Sequence, residues 1–592
     1  MLEHFDTEHV QKHQKPSSPS KLRPLFFAAP INWCRPLPLY FVTRPPRFLL
    51  LFHFSIHFRH SSISSQLLIS HSPRLLPPHH LRGSTMSTSC DLWSVRSVRL
   101  RVAVAIALAL TIEGLMRSNL NMAIVCMLNS TALTDGKPMI SSSSTPTNTS
   151  FDQSCPLLKF GTAKSVEHKG TIFWTSQDRA VIFASFYAGG LIATLASEVL
   201  NRYIGATRTV LYGGIANVVG TFLTPFVASQ TNFGTFPIIL LRFVMGFGQG
   251  VLWPCMLVLV AQWFPANEKS TALAVATTGN QLSVVIAMFV TAELCQLPWG
   301  WPMAFHVYAV CGIVMCFIWY LVVYDSPCHA DEKVSKEELQ YITTERVRQR
   351  PMHPNWLALM KSPVVWSIAA SSFAHNYVTV GTITYLPLYY KTVLNMSLTS
   401  NGVLSAVPFI LQFFSKVFYA GMADSAKTRG WASFDTVTKF CNSSASFGIA
   451  LCFGLLCFCD CSQRPAAIFL ICMAMSFVSG YIPGYSTSAV TIAPAQTAAI
   501  AAFSRFWGQI ASSVAPYHIG AYTKQGTHEE WTIVFAIMAG ICGITGMFFH
   551  CCGTASLQDW DSDHSKAPME IAREELIDSS KLDDSLRVTT VD

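Results

Sequence analysis

Gly421-Met-Ala-Asp-Ser-Ala-Lys427 and Asn201-Arg-Tyr-Ile-Gly-Ala-Thr-Arg208 are short polar loops set between long apolar runs, and they look like copies of one another. The first follows the eighth apolar run of the chain and the second follows the second run, which is where a chain made of two repeated halves would carry its repeat. Outward from these loops, twelve runs of roughly 20 residues succeed one another, the length a bilayer core demands of a helix. They lie at about 102–127, 177–199, 208–229, 237–261, 271–295, 303–324, 363–388, 401–422, 437–459, 466–488, 496–520 and 532–552. Between the sixth and seventh runs, residues 325–361 are rich in Lys, Arg and Glu and divide the body into six plus six.

Composition agrees. Of 592 residues, 51% are apolar and 12% charged, against roughly 25% charged in a soluble domain, which excludes a large water-soluble globule. The net charge of +8 is misleading. Residues 1–85 hold ten Lys or Arg against three acids, and the last forty residues hold ten acids against four bases. Neither segment makes a basic nucleic-acid surface, so no nucleic-acid partner is expected. The 18 Cys are mostly scattered through apolar stretches, where Cys acts as a small hydrophobe. They read as neither a disulfide framework nor a metal site. The chain lacks a phosphate-cradling Gly-x-x-x-x-Gly-Lys-Ser/Thr, a His-Glu-x-x-His and paired Cys-x-x-Cys motifs of zinc spacing. Gly246-x-Gly248-x-Gly250 falls inside an apolar run, so it is no nucleotide loop. An enzyme, a cofactor and a metal are therefore not expected, and uphill transport would draw on an ion gradient.

Five domains are expected: an extension over 1–95, a first six-helix bundle over 96–324, a central loop over 325–362, a second bundle over 363–552 and an acidic tail over 553–592. The extension is His- and Pro-rich. Its apolar run near Phe48–Phe58 is too short and too polar to span, and lies too far inside the chain for a signal peptide. The reading expects the native start at Met86, with a disordered leader as the alternative. Arg202, Arg208, Lys269, Lys427, Arg429 and six bases of the central loop share one side, whereas the opposite short loops offer Lys391, Arg464 and Lys524. The positive-inside rule then places both termini and the central loop in the cytoplasm. The loop over 128–176 carries the sequons at Asn129 and Asn148, and a second outer loop carries Asn395. Glycosylation there fits the same topology, although Lys159, Lys164 and Lys169 run against the charge rule.

The duplicated loops resemble the acidic/basic loop found after the second and eighth helices of the major facilitator superfamily. Met116-Arg-Ser-Asn-Leu-Asn-Met-Ala-Ile-Val125 resembles the first-helix signature of its anion/cation symporter family, which includes vesicular glutamate transporters, the lysosomal sialic acid transporter and sodium/phosphate cotransporters. Arg242 with Gly246, Gly248 and Gly250, then Trp253-Pro254, is similar to that family's fourth helix. Trp263-Phe-Pro-Ala-Asn-Glu-Lys-Ser270, Leu404-Ser-Ala-Val-Pro408, Ile492-Ala-Pro494 and Glu529-Glu-Trp-x-x-Val-Phe535 follow in family order. The resemblance covers about 100–552. It implies an all-α membrane protein of twelve transmembrane helices in two six-helix bundles, rocking about a midplane site.

An Arg inside an apolar span is a functional candidate, and a guanidinium fork suits a carboxylate or phosphate. The resemblance implies that Arg117 contacts the substrate anion; a structural pair with Glu113, one turn away, is the plainer reading. Arg242 resembles a family Arg of coupling or gating, with an interfacial Arg reaching water as the alternative. The glycines after it read as helix packing. Several positions depart from the family: Gln249 stands for a proton-coupling Glu, Phe183 for a His, His375 for an Arg, and Thr491 for an acid. These losses put vesicular glutamate transport in doubt. His375, with Asn376 beside it, is a candidate for substrate contact or titration, or a neutral hydrogen-bonded His. Arg505 is an extra charge that would supply a second anion contact or pair with an acid elsewhere. Tyr187, Tyr377 and Trp253 read as packing or lipid-facing residues.

The expected function is a secondary transporter of an organic or inorganic anion, coupled to H+ or Na+ or driven by membrane potential. A transport-dead receptor or scaffold and an anion channel are the alternatives. Lysosomal, vesicular and plasma membranes are all compatible with the sequence.

Overall fold

The computed structural model describes residues 97–129, 170–230, 234–265, 268–327, 334–344, 356–558 and 560. The expected start at Met86, the sequon at Asn148 and most of the tail lie outside them. Backbone groups in a bilayer must bond within their own segment, so apolar runs of this length fold as helices. Among the described residues twelve long helical segments follow one another: α1 Val98–Met127, α2 Ser176–Tyr203, α3 Ala206–Ala228, α4 Phe236–Trp263, α5 Lys269–Leu294, α6 Pro302–Val322, α7 Pro363–Thr392, α8 Leu398–Thr428, α9 Phe434–Leu456, α10 Cys461–Thr491, α11 Thr497–Tyr522 and α12 His528–Cys552. They match the twelve expected runs to within a few residues at most ends. Nine are long and apolar enough to cross a membrane, and the chain is a multi-pass membrane protein. The other three, α1, α7 and α11, are as long but are interrupted by polar side chains. They carry Arg117, His375 and Arg505.

In the first half, α1 packs on α5, α2 on α4, and α3 on α4 and α6; in the second, α7 packs on α11 and α12, and α10 on α8 and α9. The glycines of α4 do pack. A Cβ on Gly246 would stand 1.7 Å from the Phe186 carbonyl oxygen, so α2 and α4 meet backbone to backbone. Helix entries are set by local chemistry. Thr175 and Asp178 form a reciprocal capping box at the start of α2, and Thr527 and Glu530 repeat it at α12.

The two halves meet through α2 with α11 and α5 with α8, two contacts equivalent under the duplication. Both are tied at the end of the bundles where α1 finishes at Met127. The Ser176 hydroxyl lies 2.9 Å from the Gly520 carbonyl oxygen and 2.6 Å from that of Thr523. The Gln296 amide donates to the Thr399 hydroxyl at 2.9 Å. A glycine permits each approach: a Cβ on Gly520 would be 2.5 Å from Ala180 Cβ, and one on Gly402 would be 2.4 Å from Ala292 Cβ.

The same end carries a disulfide, Cys126–Cys295, joining α1 to the residue after α5 with Cα atoms 6.4 Å apart. This corrects the expectation of no disulfide framework among cysteines that mostly act as small hydrophobes. The eleven described free cysteines keep to that expectation more closely, most being wholly or partly buried. Cys461, at the start of α10, is also oxidised. Disulfides form on the oxidising face of a membrane.

At the opposite end an ion cluster fastens α1. Arg99 is fully buried; its Nε donates to Glu338 at 3.0 Å, its Nη1 pairs with Glu268, and its guanidinium lies 4.8 Å from the Tyr341 ring centre. Glu338, in the short helix Lys336–Thr344, also accepts from the Ser97 hydroxyl at 2.8 Å and the Val98 amide at 3.2 Å. Burial pushes the Glu338 carboxyl up, but these hydrogen bonds outweigh it and hold the group below the usual carboxylate range. A carboxyl depressed by folding stabilises the fold above its unfolded pKa, and that contribution disappears as pH falls through the lower folded value. Arg99→Ala leaves two partly buried carboxylates unpaired and should cost about 3–5 kcal/mol. Thermal unfolding of the purified protein is the check: the wild type loses stability on acidification below the usual carboxylate range, and the variant starts lower and changes less.

Candidate functional site

A cavity of about 290 Å³ lies between the two halves, lined by residues of α1, α2, α4, α5, α7, α8 and α11. Arg117 reaches it from the middle of α1. Its Nη2 donates to the Asn280 side-chain oxygen of α5 at 3.1 Å, and its Nε is buried without a partner. Glu113 does not pair with it. One Glu113 oxygen faces Gly214 and the region of Cys316, and the other has no partner. The plain reading of an Arg117–Glu113 ion pair is therefore replaced by an Arg117 held by a neutral amide, with donor capacity left over.

Arg242 does not reach water. It is 1% exposed, with its guanidinium 4.8 Å from the Phe186 ring centre and its Nε and Nη1 unpartnered. The interfacial alternative is thus overturned, and Arg242 sits behind the cavity wall rather than on it. Gln249, on the same helix, does line the cavity.

The second half contributes His375, Asn376, Lys416 and Arg505. His375 is hydrogen-bonded: its Nδ1 lies 2.9 Å from the Tyr485 hydroxyl, and its ring stacks on Tyr481 at 5.2 Å between centres. A break in α10 places both tyrosines there. The helix tightens over Ser479–Tyr481, widens over Ile482–Ser486, and departs from helical geometry at Gly484, beside Pro483. The Asn376 amide donates to the Ser372 carbonyl at 2.8 Å. Among the described residues Arg505 finds no acid: its guanidinium lies 4.5 Å from the Trp253 ring centre, and its Nε is buried without a partner. That contact joins α11 to α4, across the two halves.

Trp253 and Tyr187 line the cavity, contrary to the expectation that they pack or face lipid. Tyr377 points elsewhere, with its hydroxyl 2.6 Å from His518 Nδ1. Several cavity residues escaped the sequence reading, Lys416 and Asn280 among them. Lys416 carried the signal that singled out Arg117 and Arg505, a charge inside an apolar span. Asn280 carried none, because an amide in a helix is unremarkable until an Arg is placed opposite it. A second void of about 20 Å³, among Tyr385, Tyr389, Trp531 and Phe535, has no charged lining. Among the described residues no cluster of His, Cys, Asp and Glu suits a metal ion.

Of the sequons, Asn129 lies where the Leu128–Ile172 bridge closes the end of α1, and its backbone N–H donates to the Ile172 carbonyl at 2.9 Å. Asn395 takes a left-handed φ of 47° in the turn between α7 and α8, next to the buried Met396, and Ser397 caps α8.

Chemically, the cavity presents guanidinium and ammonium donors with amides and aromatic faces, and among the described residues it has no carboxylate lining. Such a wall binds an anion. Comparison with known proteins points the same way. Residues 106–516 match the family described as the Major Facilitator Superfamily. The chain is 28% identical to sodium-dependent phosphate transport protein 3 of Mus musculus, over 75% of this chain and 91% of that one. It is 26% identical to sialin of Homo sapiens, over 78% of this chain and 91% of sialin. In fold it is similar to a bacterial homologue of the human lysosomal transporter Spinster, crystallised in an inward-facing and occupied conformation. The TM-score is 0.54 at 12% identity, covering 77% of this chain and 96% of that one.

Proposed function

The chain belongs to the Major Facilitator Superfamily, and from that premise we propose that it carries a small organic or inorganic anion across a membrane by alternating access. The observation that carries this reading is Arg117: a buried guanidinium, tied to one neutral amide, facing a cavity between two halves. An uncompensated charge at that depth is costly, and an anion in the cavity removes the cost. Phosphate and sialic acid, carried by relatives of that description, are the first anions to try.

Residues 96–324 and 363–552 act as the two moving bodies, with 325–362 as tether and both termini in the cytoplasm. The Met127 end is then the outer one, which agrees with its disulfide and with glycosylation at Asn148, Asn129 or Asn395. Ties across the halves at that end support an inward-facing state. His375, Asn376 and Arg505 complete the site, while Arg242 and Glu113 serve coupling. Gln249 carries no proton, so Glu113, a buried carboxyl one turn from Arg117, takes the proton where H+ is the driver. Sodium and membrane potential are the other two drivers.

Uptake of labelled anions into proteoliposomes tests this, with a pH gradient, a sodium gradient or potential imposed in turn. We expect one anion to accumulate in response to one driver. With a pH gradient as driver, Glu113→Gln should abolish the response to pH and spare exchange. Binding without flux for every anion would replace the carrier with a receptor.

A further inference from the structure

We infer that the cavity selects a small dianion, and that Lys416 supplies the charge that makes it do so. The inference rests on the anion-carrier reading and narrows its substrate class. Three cations line one cavity: Arg117 from α1, Lys416 from α8 and Arg505 from α11. Among the described residues none of them forms an ion pair with a carboxylate. The carboxyl in electrostatic reach of Arg117 is Glu113, on the same helix and turned away towards α3 and α6. It offsets Arg117 from behind the wall. Among the described residues Lys416 and Arg505, both on the second half, have no such counter-charge.

Occlusion takes water from the cavity, and each charge left uncompensated there is penalised. A monoanion neutralises one of the two and leaves the other buried alone. A dianion neutralises both. The two side chains divide the work by their chemistry. Arg505 lays its face on Trp253 and keeps its Nε edge unpartnered, so its planar fork meets a carboxylate or phosphate edge. Lys416 is a compact point charge that accepts an anionic oxygen from several directions. The remaining lining is amide and aromatic, with Gln249, Gln412 and Gln509 able to bond neutral oxygens. A volume of about 290 Å³ admits a small molecule only. Two separated carboxylates and one doubly charged phosphate share this chemistry.

Calorimetric binding to the purified full-length protein at neutral pH, where glutarate and phenyl phosphate are already dianions, separates the possibilities. The probes are two matched pairs: glutarate with its monoamide glutaramate, and phenyl phosphate with methyl phenyl phosphate. In the wild type the dianion of at least one pair should bind about tenfold or more tightly than its monoanion. The pair that shows the preference tells carboxylate from phosphate. Lys416→Gln should reduce that preference to within about twofold by weakening the dianion far more than the monoanion, and Lys416→Arg should keep it. Thermal midpoints of both variants report whether they fold. Equal affinity within both pairs in the wild type overturns the inference and leaves the carrier reading intact. So does a Lys416→Gln protein that loses monoanion and dianion alike. A wild type that binds none of the four probes overturns it too; only if the liposome panel also shows no uptake does the anion-carrier reading fall with it.

Discussion

Arg117→Ala yields a folded protein whose anion uptake falls by at least about 30-fold, the loss expected when one partner of a buried, hydrogen-bonded charge pair is removed. Among the described residues Arg117 makes a single side-chain hydrogen bond, to Asn280 at 3.1 Å. Its removal therefore costs the fold little, since the Asn280 amide faces a cavity that water can enter. Substrate loses its main counter-charge. Arg117→Lys restores the charge without the fork and should fall between the two, because an ammonium cannot make paired bonds to one carboxylate or phosphate. Uptake normalised to reconstituted protein, with thermal midpoints measured in parallel, is the check. Equal uptake by wild type and Arg117→Ala would remove Arg117 from the site.

Gly402→Leu gives the second large effect, through a different step. Gly402 of α8 touches α5 so closely that a Cβ there would sit 2.4 Å from Ala292 Cβ. The clash exists only when the Met127 end is shut. Overpacking costs about 1–3 kcal/mol, so the closed arrangement loses about five- to 150-fold in population relative to the open one. Turnover should fall accordingly while the protein still folds, because the two bundles separate at this contact in the transport cycle. A membrane-impermeant thiol reagent applied from the outer side should then label Gln249→Cys faster in the Gly402→Leu background than in the otherwise unchanged protein. Wild-type turnover in Gly402→Leu would show that this contact does not have to close.

Much of the fold is legible in the sequence because membrane thickness dictates it. Spans near 20 residues yield the twelve long helical segments found among the described residues. The duplicated loops pointed to the superfamily that residues 106–516 match, and the ordered signatures to relatives that include sodium-dependent phosphate transport protein 3 and sialin. Arg117 and Arg505 were legible by the same physics, as charges where charges are expensive, and both line the cavity. Lys416 obeyed that rule equally and was passed over. Other features depend on three-dimensional proximity that spacing does not encode. Cys126 and Cys295 are 169 residues apart in sequence and 6.4 Å apart at their Cα atoms. His375 meets Tyr485 only because α10 breaks around Pro483 and Gly484. Trp253 looked like packing until Arg505 of the other half was placed on its face. The Arg117–Glu113 spacing suggested a pair, yet neighbouring positions on a helix surface do not oblige two side chains to meet; Arg117 takes Asn280 instead.

Alternating access is the central claim, and exchange across the membrane tests it most directly. Proteoliposomes are loaded with the unlabelled anion, and entry of the same anion in labelled form is followed with no driving gradient. A carrier returns its site faster when loaded, so the labelled anion should enter faster into loaded than into empty vesicles and transiently exceed its equilibrium level. Entry at the same rate with and without internal anion would contradict the account and leave a channel; binding with no entry at all would leave a receptor.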